Sequence, residues 1–306
     1  MTEARSLFAV DVGNTRIKIS FWLRPDARFR PDSIRMTIPN CDSETSDSSA
    51  SCDETVKWIR NLNIGERACR WVVSSVNAVR TAALEAFVRE LRPNDSFMRI
   101  THEDVPMQIA YDEPRKLGLD RAVAAFAGVR LLGEGVPFLV VDVGTAATID
   151  YVDSSGIFKG GAILPGPRLS AEALNVKTSQ LPMLPDPENL DLRERSNSEL
   201  QHALSYPATE TQSAIRIGVV YTLVGAIVSF YWQTRRRIME AEGDPTRLTL
   251  LLSGGNAEST GRSLSNWFDD LEFNIGARGV RPPVIKEPRL VVNGLYEIAT
   301  SPKFLS

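Results

Sequence analysis

The feature that most constrains the fold is a pattern the chain uses twice. Residues 8–22 read FAVDVGNTRIKISFW and residues 139–152 read LVVDVGTAATIDYV. Each copy runs as an apolar strand, an aspartate, a valine, a glycine turn and a returning strand. A repeat on this scale points to two related halves, which the spacing places at residues 1–134 and 135–306. Strands alternate with helical periodicity elsewhere. Ala78 to Leu91, Leu119 to Leu132 and Thr211 to about Arg237 read as helices, and Trp71 to Ser75 and Leu248 to Leu252 as strands. The fold class is therefore α/β, with two duplicated halves and a cleft between them as the expected place for chemistry.

Composition narrows the function. The 306 residues are 43% hydrophobic, ample for two cores. Lys plus Arg is 35 and Asp plus Glu is 38, a net charge of −3, so no nucleic-acid footprint is expected. Arg235, Arg236 and Arg237 close an apolar segment and read as a helix C-terminal turn. Cys41, Cys52 and Cys69 are odd in number and lack CxxC spacing, against a disulfide framework or a zinc site. The N-terminal MTEARSLFAVDVG has too short an apolar run for a signal peptide. Ile217 to Trp232 is broken by Gly218, Thr222, Gly225 and Ser229 and falls short of the roughly 20 apolar residues of a membrane span, so it reads as a buried helix. The expected location is cytoplasmic. The polar stretch from Asn40 to Glu54 reads as a surface loop.

Five stretches carry chemistry. In Asp11-Val12-Gly13-Asn14-Thr15 glycine permits close main-chain approach, the turn amides can cradle an anion, and Asn14 and Thr15 add short polar side chains. Asp11 suits Mg²⁺ held through water. A plain β-hairpin explains the same residues, and Lys18 on the returning strand explains itself as a solvated lysine. The second copy, Asp142-Val143-Gly144-Thr145, changes the weighing. Two such hairpins can grip one triphosphate and exclude water around it. The third stretch, Gly118-Leu119-Asp120-Arg121, follows Tyr111 and opens a helix. Asp120 can take a proton from an acceptor hydroxyl while Arg121 neutralises anionic charge, although a first-turn carboxylate also serves the helix dipole. Gly160-Gly161, ahead of Ala162 to Pro167, marks close packing or a bulge. Ser253-Gly254-Gly255-Asn256 is a glycine turn from strand to helix where a nucleoside can lie against backbone, and a simple tight turn explains the same residues equally well.

In order and spacing, DVGNTRIK, YDEPRKLGLDRAVAAFAG and VVDVGTAATIDYV…GIFKGGAILPG resemble type III pantothenate kinases over most of the chain. The resemblance implies two ribonuclease-H-like domains of the acetate-and-sugar-kinase, heat-shock cognate and actin superfamily. It implies phosphorylation of pantothenate by ATP with Mg²⁺ and a monovalent cation, K⁺ or NH₄⁺, as the first step of coenzyme A synthesis. It implies a homodimer with a shared active site and neither a membrane nor a nucleic-acid partner. Carried over, Asp11, Val12, Gly13, Asn14, Thr15, Arg16, Ile17 and Lys18 match the first phosphate motif, and Thr145 an ATP contact. Asp120 matches the proton acceptor. Tyr111, Gly118, Leu119, Asp120 and Arg121 match the pantothenate contacts, and Asp142 the monovalent-cation ligand. Thr211, ahead of Ala214-Ile215, matches a pantothenate contact made from the neighbouring subunit, with Thr209 as the alternative. Ala208-Thr209-Glu210 stands where the family commonly has Gly-x-Asn, Ser253 where it often has Thr, and Asn40 to Glu54 resembles an insertion. A sugar kinase, a non-catalytic regulatory relative and a phosphohydrolase are the competing readings. Gly-Leu-Asp-Arg argues against the first, retention of Asp11 and Asp120 against the second, and the third needs an acid placed to activate water.

Overall fold

The computed structural model describes residues 6–13, 16–23, 34–39, 56–62, 64–65, 67–190, 206–244, 247–275 and 281–305. The polar stretch from Asn40 to Glu54, Cys41, Cys52, Asn14 and Thr15 lie outside them. The chain divides by its contacts into Met1–Ala127 with Leu290–Ser306, and Gly128–Arg289.

In the first unit β1 (Leu7–Val12) pairs antiparallel with β2 (Arg16–Trp22), in register from Leu7↔Trp22 to Val12↔Ile17. β3 (Ile34–Pro39) pairs antiparallel with β2, while β4 (Arg70–Ser75) lies parallel to β1 and β5 (Ser96–Arg99) parallel to β4. The sheet order is β3-β2-β1-β4-β5. All six residues of β1 are buried, which explains its nearly continuous apolar run. On one face Phe8, Val10, Val12, Trp71 and Val73 pack with Leu84 and Val88 of α1 (Ala78–Leu91). Asn77 caps α1 by accepting from the Arg80 amide at 3.1 Å. The contact division falls inside α2 (Leu119–Leu132), between Ala127 and Gly128.

The second unit repeats the scheme. β6 (Phe138–Val143), β7 (Ala146–Val152) and β8 (Phe158–Pro165) pair antiparallel in sequence, and β9 (Thr249–Ser253) and β10 (Val284–Lys286) continue parallel from β6. The order β10-β9-β6-β7-β8 is the first sheet's order read from the other edge. The sequence repeat is thus a repeat of topology. Gly160-Gly161 lies where the β7–β8 register shifts between Asp150 and Val152, and a Cβ on Gly161 would sit 2.3 Å from the Ile149 carbonyl oxygen. α3 (Pro167–Lys177), which the sequence reading missed, follows β8 directly.

α4 (Thr211–Glu242) buries Val220, Leu223, Val224, Ile227 and Tyr231 against the sheet and against Leu264 and Phe268 of α5 (Ala257–Ile275). It is the one helix among the described residues long and apolar enough to cross a membrane, a test that a core helix also passes. α4 runs five residues past the expected end, so Arg235, Arg236 and Arg237 lie inside it. Ile238 extends the buried stripe, and Gly243, at φ 78°, ends the helix with its N–H on the Met239 carbonyl at 3.2 Å.

The last segment departs from the expected split at residue 134. α6 (Leu290–Ala299) and the terminal turn α7 (Pro302–Leu305) pack with the first unit. Tyr296 stacks on Trp22 with ring centroids 4.9 Å apart. A Cβ on Gly294 would sit 2.7 Å from the Val123 carbonyl oxygen, so α2 and α6 meet main chain to main chain. Arg70 Nη1 donates to the carbonyls of Ala299 (3.1 Å) and Phe304 (2.9 Å), and Lys303 pairs with Asp104 at 2.9 Å. Burial pushes the Asp104 carboxyl up, but hydrogen bonds from Lys303 and Thr101 outweigh it and hold Asp104 below the usual range.

One buried charge organises the β4–β5 edge. Asp95 accepts from Trp71 Nε1 (2.8 Å), Arg92 Nε (2.7 Å) and the Cys69 amide (2.9 Å). Burial, reinforced by the Asp95 charge and opposed by Arg92, pushes the Cys69 thiol up to about 11. Asp95→Ala removes the charge opposite Arg92 and the acceptor of Trp71 Nε1 and the Cys69 amide, and is expected to destabilise the protein by about 3 kcal/mol in urea unfolding. A loss under about 0.5 kcal/mol, the scale of an ordinary surface substitution, would contradict this role.

Candidate active site

The first-unit site is built on the end of β1. Gly13 donates its N–H to the Arg16 carbonyl at 3.1 Å and closes the hairpin. Register sets Asp11 opposite Lys18 on β2 and opposite Ser74 on β4. Registered neighbours share a face of the sheet, so the three form one row. Lys18 turns toward Asp11, with Nζ 3.7 Å from Oδ2, while the Asp11 side chain is only 10% exposed. The lysine therefore offsets a nearly buried carboxylate in addition to meeting solvent. Val12 is buried, Ile17 half-buried and Arg16 exposed. Arg80, which sequence reasoning passed over, reaches back from α1 and donates Nη1 to the Gly13 carbonyl at 3.3 Å. Nothing in its local sequence marks it, because the hairpin lies far away along the chain.

The Gly118–Arg121 stretch forms the start of α2. Leu119 and Arg121 are buried, Asp120 is half-buried in the first turn, and Tyr111 is exposed. Asp120 Oδ1 accepts from the Arg121 amide at 2.9 Å. A Cβ at Gly118 would lie 2.6 Å from that same Oδ1. Glycine at this position thus leaves the space that the carboxylate occupies. The preceding residue is tethered as well: His102 donates Nε2–H to the Leu117 carbonyl at 2.6 Å. The sequence shows only an isolated histidine there.

In the second unit three stretches meet at one hairpin. Gly144 donates its N–H to Ala146 at 3.0 Å, and Gly144, Thr145 and Ala146 are exposed at the tip. Gly166, at the start of α3, donates to the Thr145 carbonyl at 2.9 Å. A Cβ on Gly166 would fall 2.0 Å from the Gly144 carbonyl oxygen, which no side chain can accommodate. Gly254, at φ +83°, lies against Asp142 and Val143; its Cβ would come within 2.6 Å of Asp142 Oδ1. The Asn256 amide reaches the Val143 carbonyl at 3.4 Å. The Asp-Val-Gly-Thr, Ile-Leu-Pro-Gly and Ser-Gly-Gly-Asn segments are thereby brought together. The Asp142 carboxylate and the Val143 carbonyl both border Gly254, two oxygens of the kind hard cations take. Thr211 and Thr209 are exposed at the start of α4, whose cap is Glu210. The Gln212 and Ser213 amides, at 2.8 and 2.7 Å, hold the Glu210 carboxyl below its ordinary range.

Two sheets of one topology, each with Asp-Val-Gly at the end of its first strand, define a duplicated α/β protein of the actin-like ATPase and sugar-kinase fold class. The family model described as type III pantothenate kinase matches residues 7–233. A type III pantothenate kinase of Rhodopirellula baltica is 35% identical over 310 residues, covering 94% of this chain and 97% of its own. One from Rubrobacter xylanophilus is 32% identical over 249 residues, covering 81% and 86%. Among solved structures, a Campylobacter jejuni protein assigned to the Baf family of transcriptional activators superposes with a TM-score of 0.50 at 18% identity. It covers 95% of this chain and 96% of its own, a likeness of fold. The chain belongs to the type III pantothenate kinase family.

The glycines separate two kinds of damage. Gly118→Ala meets the free end of a side chain, so the Asp120 carboxylate moves and the backbone need not. Turnover is expected to fall on the order of tenfold to a hundredfold with little change in melting temperature. Gly166→Ala meets main chain and is expected to lower both. Full turnover in Gly118→Ala would show that the carboxylate position does not matter.

Proposed function

We propose that the chain transfers the γ-phosphoryl group of ATP to the hydroxyl of pantothenate, giving 4′-phosphopantothenate in the first step of coenzyme A biosynthesis. Family membership supports the reaction. The observation that carries the site assignment is Asp120, its carboxylate held over Gly118 in the first turn of α2. In this role it receives the hydroxyl proton as the acceptor oxygen attacks phosphorus. Tyr111, Gly118, Leu119 and Arg121 contact pantothenate, Arg121 through charge.

The two hairpins handle the nucleotide. Asp11 to Lys18 bind phosphate through turn amides, with Asp11 serving the divalent cation through water and Lys18 and Arg80 steadying the turn. Thr145 contacts ATP, and Asp142 with its neighbouring carbonyls holds K⁺ or NH₄⁺. When bound, Mg²⁺ neutralises charge on the transferring phosphoryl group. The enzyme acts as a homodimer in the cytoplasm, with Thr211 of the partner subunit completing the pantothenate pocket. Exposed Ile163, Leu169, Val176 and Tyr221 on the second unit favour a covered surface there.

Three outcomes test this reading. Asp120→Asn is expected to cut turnover about 10²-fold or more while ATP binding persists; near-normal turnover sinks the base assignment. Asp142→Ala is expected to abolish the response of activity to potassium chloride, and a full cation response in that variant removes the assigned role. Isolated heterodimers of Asp120→Asn with Thr211→Arg should recover one working site per dimer, because one site collects both lesions. A dead heterodimer overturns the shared site and leaves the reaction standing.

A further inference from the structure

Three buried side-chain atoms among the described residues have no hydrogen-bond partner: Trp58 Nε1, Ser74 Oγ and Thr260 Oγ1. Trp58 sits edge-on to Phe8 beside the first core, where a lost indole bond accompanies aromatic packing. Thr260 lies in the first turn of α5, at the level of the backbone bond from its own amide to Asn256. Ser74 is different, because it is registered directly opposite Asp11. It is fully buried, at 0% exposure, in a strand otherwise apolar through Trp71, Val72 and Val73.

The next residue makes the contrast plain. Ser75 Oγ accepts from the Asn77 amide at 2.9 Å, donates to the Asn77 carbonyl at 2.9 Å and meets Thr81 Oγ1. A serine with a structural task in β4 is thus fully engaged, and Ser74 is not. A buried hydroxyl without a partner opposes folding, and an alanine there would remove that cost. Ser74 therefore needs a reason outside the free protein. Lys18 flanks Asp11 on β2 and Ser74 flanks it on β4, so the row reads cation, carboxylate, hydroxyl. The second unit repeats the placement, with Ser253 registered opposite Asp142. Little solvent reaches Asp11 and none reaches Ser74, so a group joining them must be about the size of water.

We propose that Ser74 is a further binding residue of this enzyme, whose hydroxyl finds its missing partner in a metal-bound water of the Mg²⁺–nucleotide complex served by Asp11. The inference rests on the Asp11 role given above. Ser74 makes no direct metal bond; it orients one water of the ion's shell, in keeping with the tendency of Mg²⁺ to keep several waters.

The test uses full-length protein and a fluorescent ADP analogue, titrated with Mg²⁺ and again with chelator, beside thermal unfolding without nucleotide. Ser74→Ala should melt at the same temperature as the parent or higher. Its affinity for the Mg²⁺-loaded analogue should fall about tenfold, the worth of one hydrogen bond, while affinity in chelator stays unchanged. Unchanged Mg²⁺-dependent affinity, or equal losses with and without metal, overturns the proposal. So does a lower melting temperature of the free variant, which would show that the hydroxyl is already satisfied. Asp11→Asn is run in parallel. If it loses the Mg²⁺ effect and Ser74→Ala keeps it, only the serine proposal falls. If both keep it, the Asp11 reading falls with it.

Discussion

The structure depends on carrying a carboxylate to the end of a strand that is buried on both faces. β1 is covered along its whole length, and Asp11 is its only charged residue. A charge in that position is tolerable only beside compensating groups. The antiparallel neighbour supplies such a group, Lys18, in register, while the parallel neighbour places beside Asp11 the Ser74 hydroxyl, which does not bond it. A mixed sheet in the order 3-2-1-4-5 makes this possible, because its central first strand has one antiparallel and one parallel partner. The same order in the second sheet flanks Asp142 with Thr148 and Ser253. Duplication of the topology thus duplicates a chemical setting, a strand-end carboxylate beside a glycine turn.

The two settings have diverged through what surrounds them. Around Asp11 the added groups are cationic, Lys18 and Arg80. Beside Asp142 stands a main-chain oxygen, the Val143 carbonyl, and both border Gly254, which lacks a side chain. Cations beside the strand end favour an anionic phosphate, and a carboxylate beside a main-chain carbonyl favours a cation. This difference is the ground for the separate roles proposed for two copies of one sequence pattern. It arises from residues far from either pattern.

The same distance explains what the sequence made legible. Both Asp-Val-Gly hairpins, the first turn of α2 with Gly118 to Arg121, and the Ser253–Asn256 turn are local signals, and all lie on the elements expected. The register shift at Gly160-Gly161 follows from a glycine pair in a strand. Arg80, His102 and Ser74 are single residues of ordinary type, and their meaning comes from pairing across strands or loops. The extension of α4 to Glu242 was hidden by three arginines that look like a terminus until Ile238 is seen to continue the stripe. Docking of α6 on the first unit was hidden because Trp22 and Tyr296 meet only in the folded chain.

The central claim is that this chain uses ATP to phosphorylate pantothenate and does so through these hairpins. The most direct measurement follows ADP release by the purified protein with Mg²⁺ and potassium, with and without pantothenate, and identifies the second product by mass. The account predicts ADP only when pantothenate is present, matched one to one by 4′-phosphopantothenate. ADP released at the same rate without pantothenate, with no phosphorylated product, would contradict it and mark the chain as a nucleotide hydrolase.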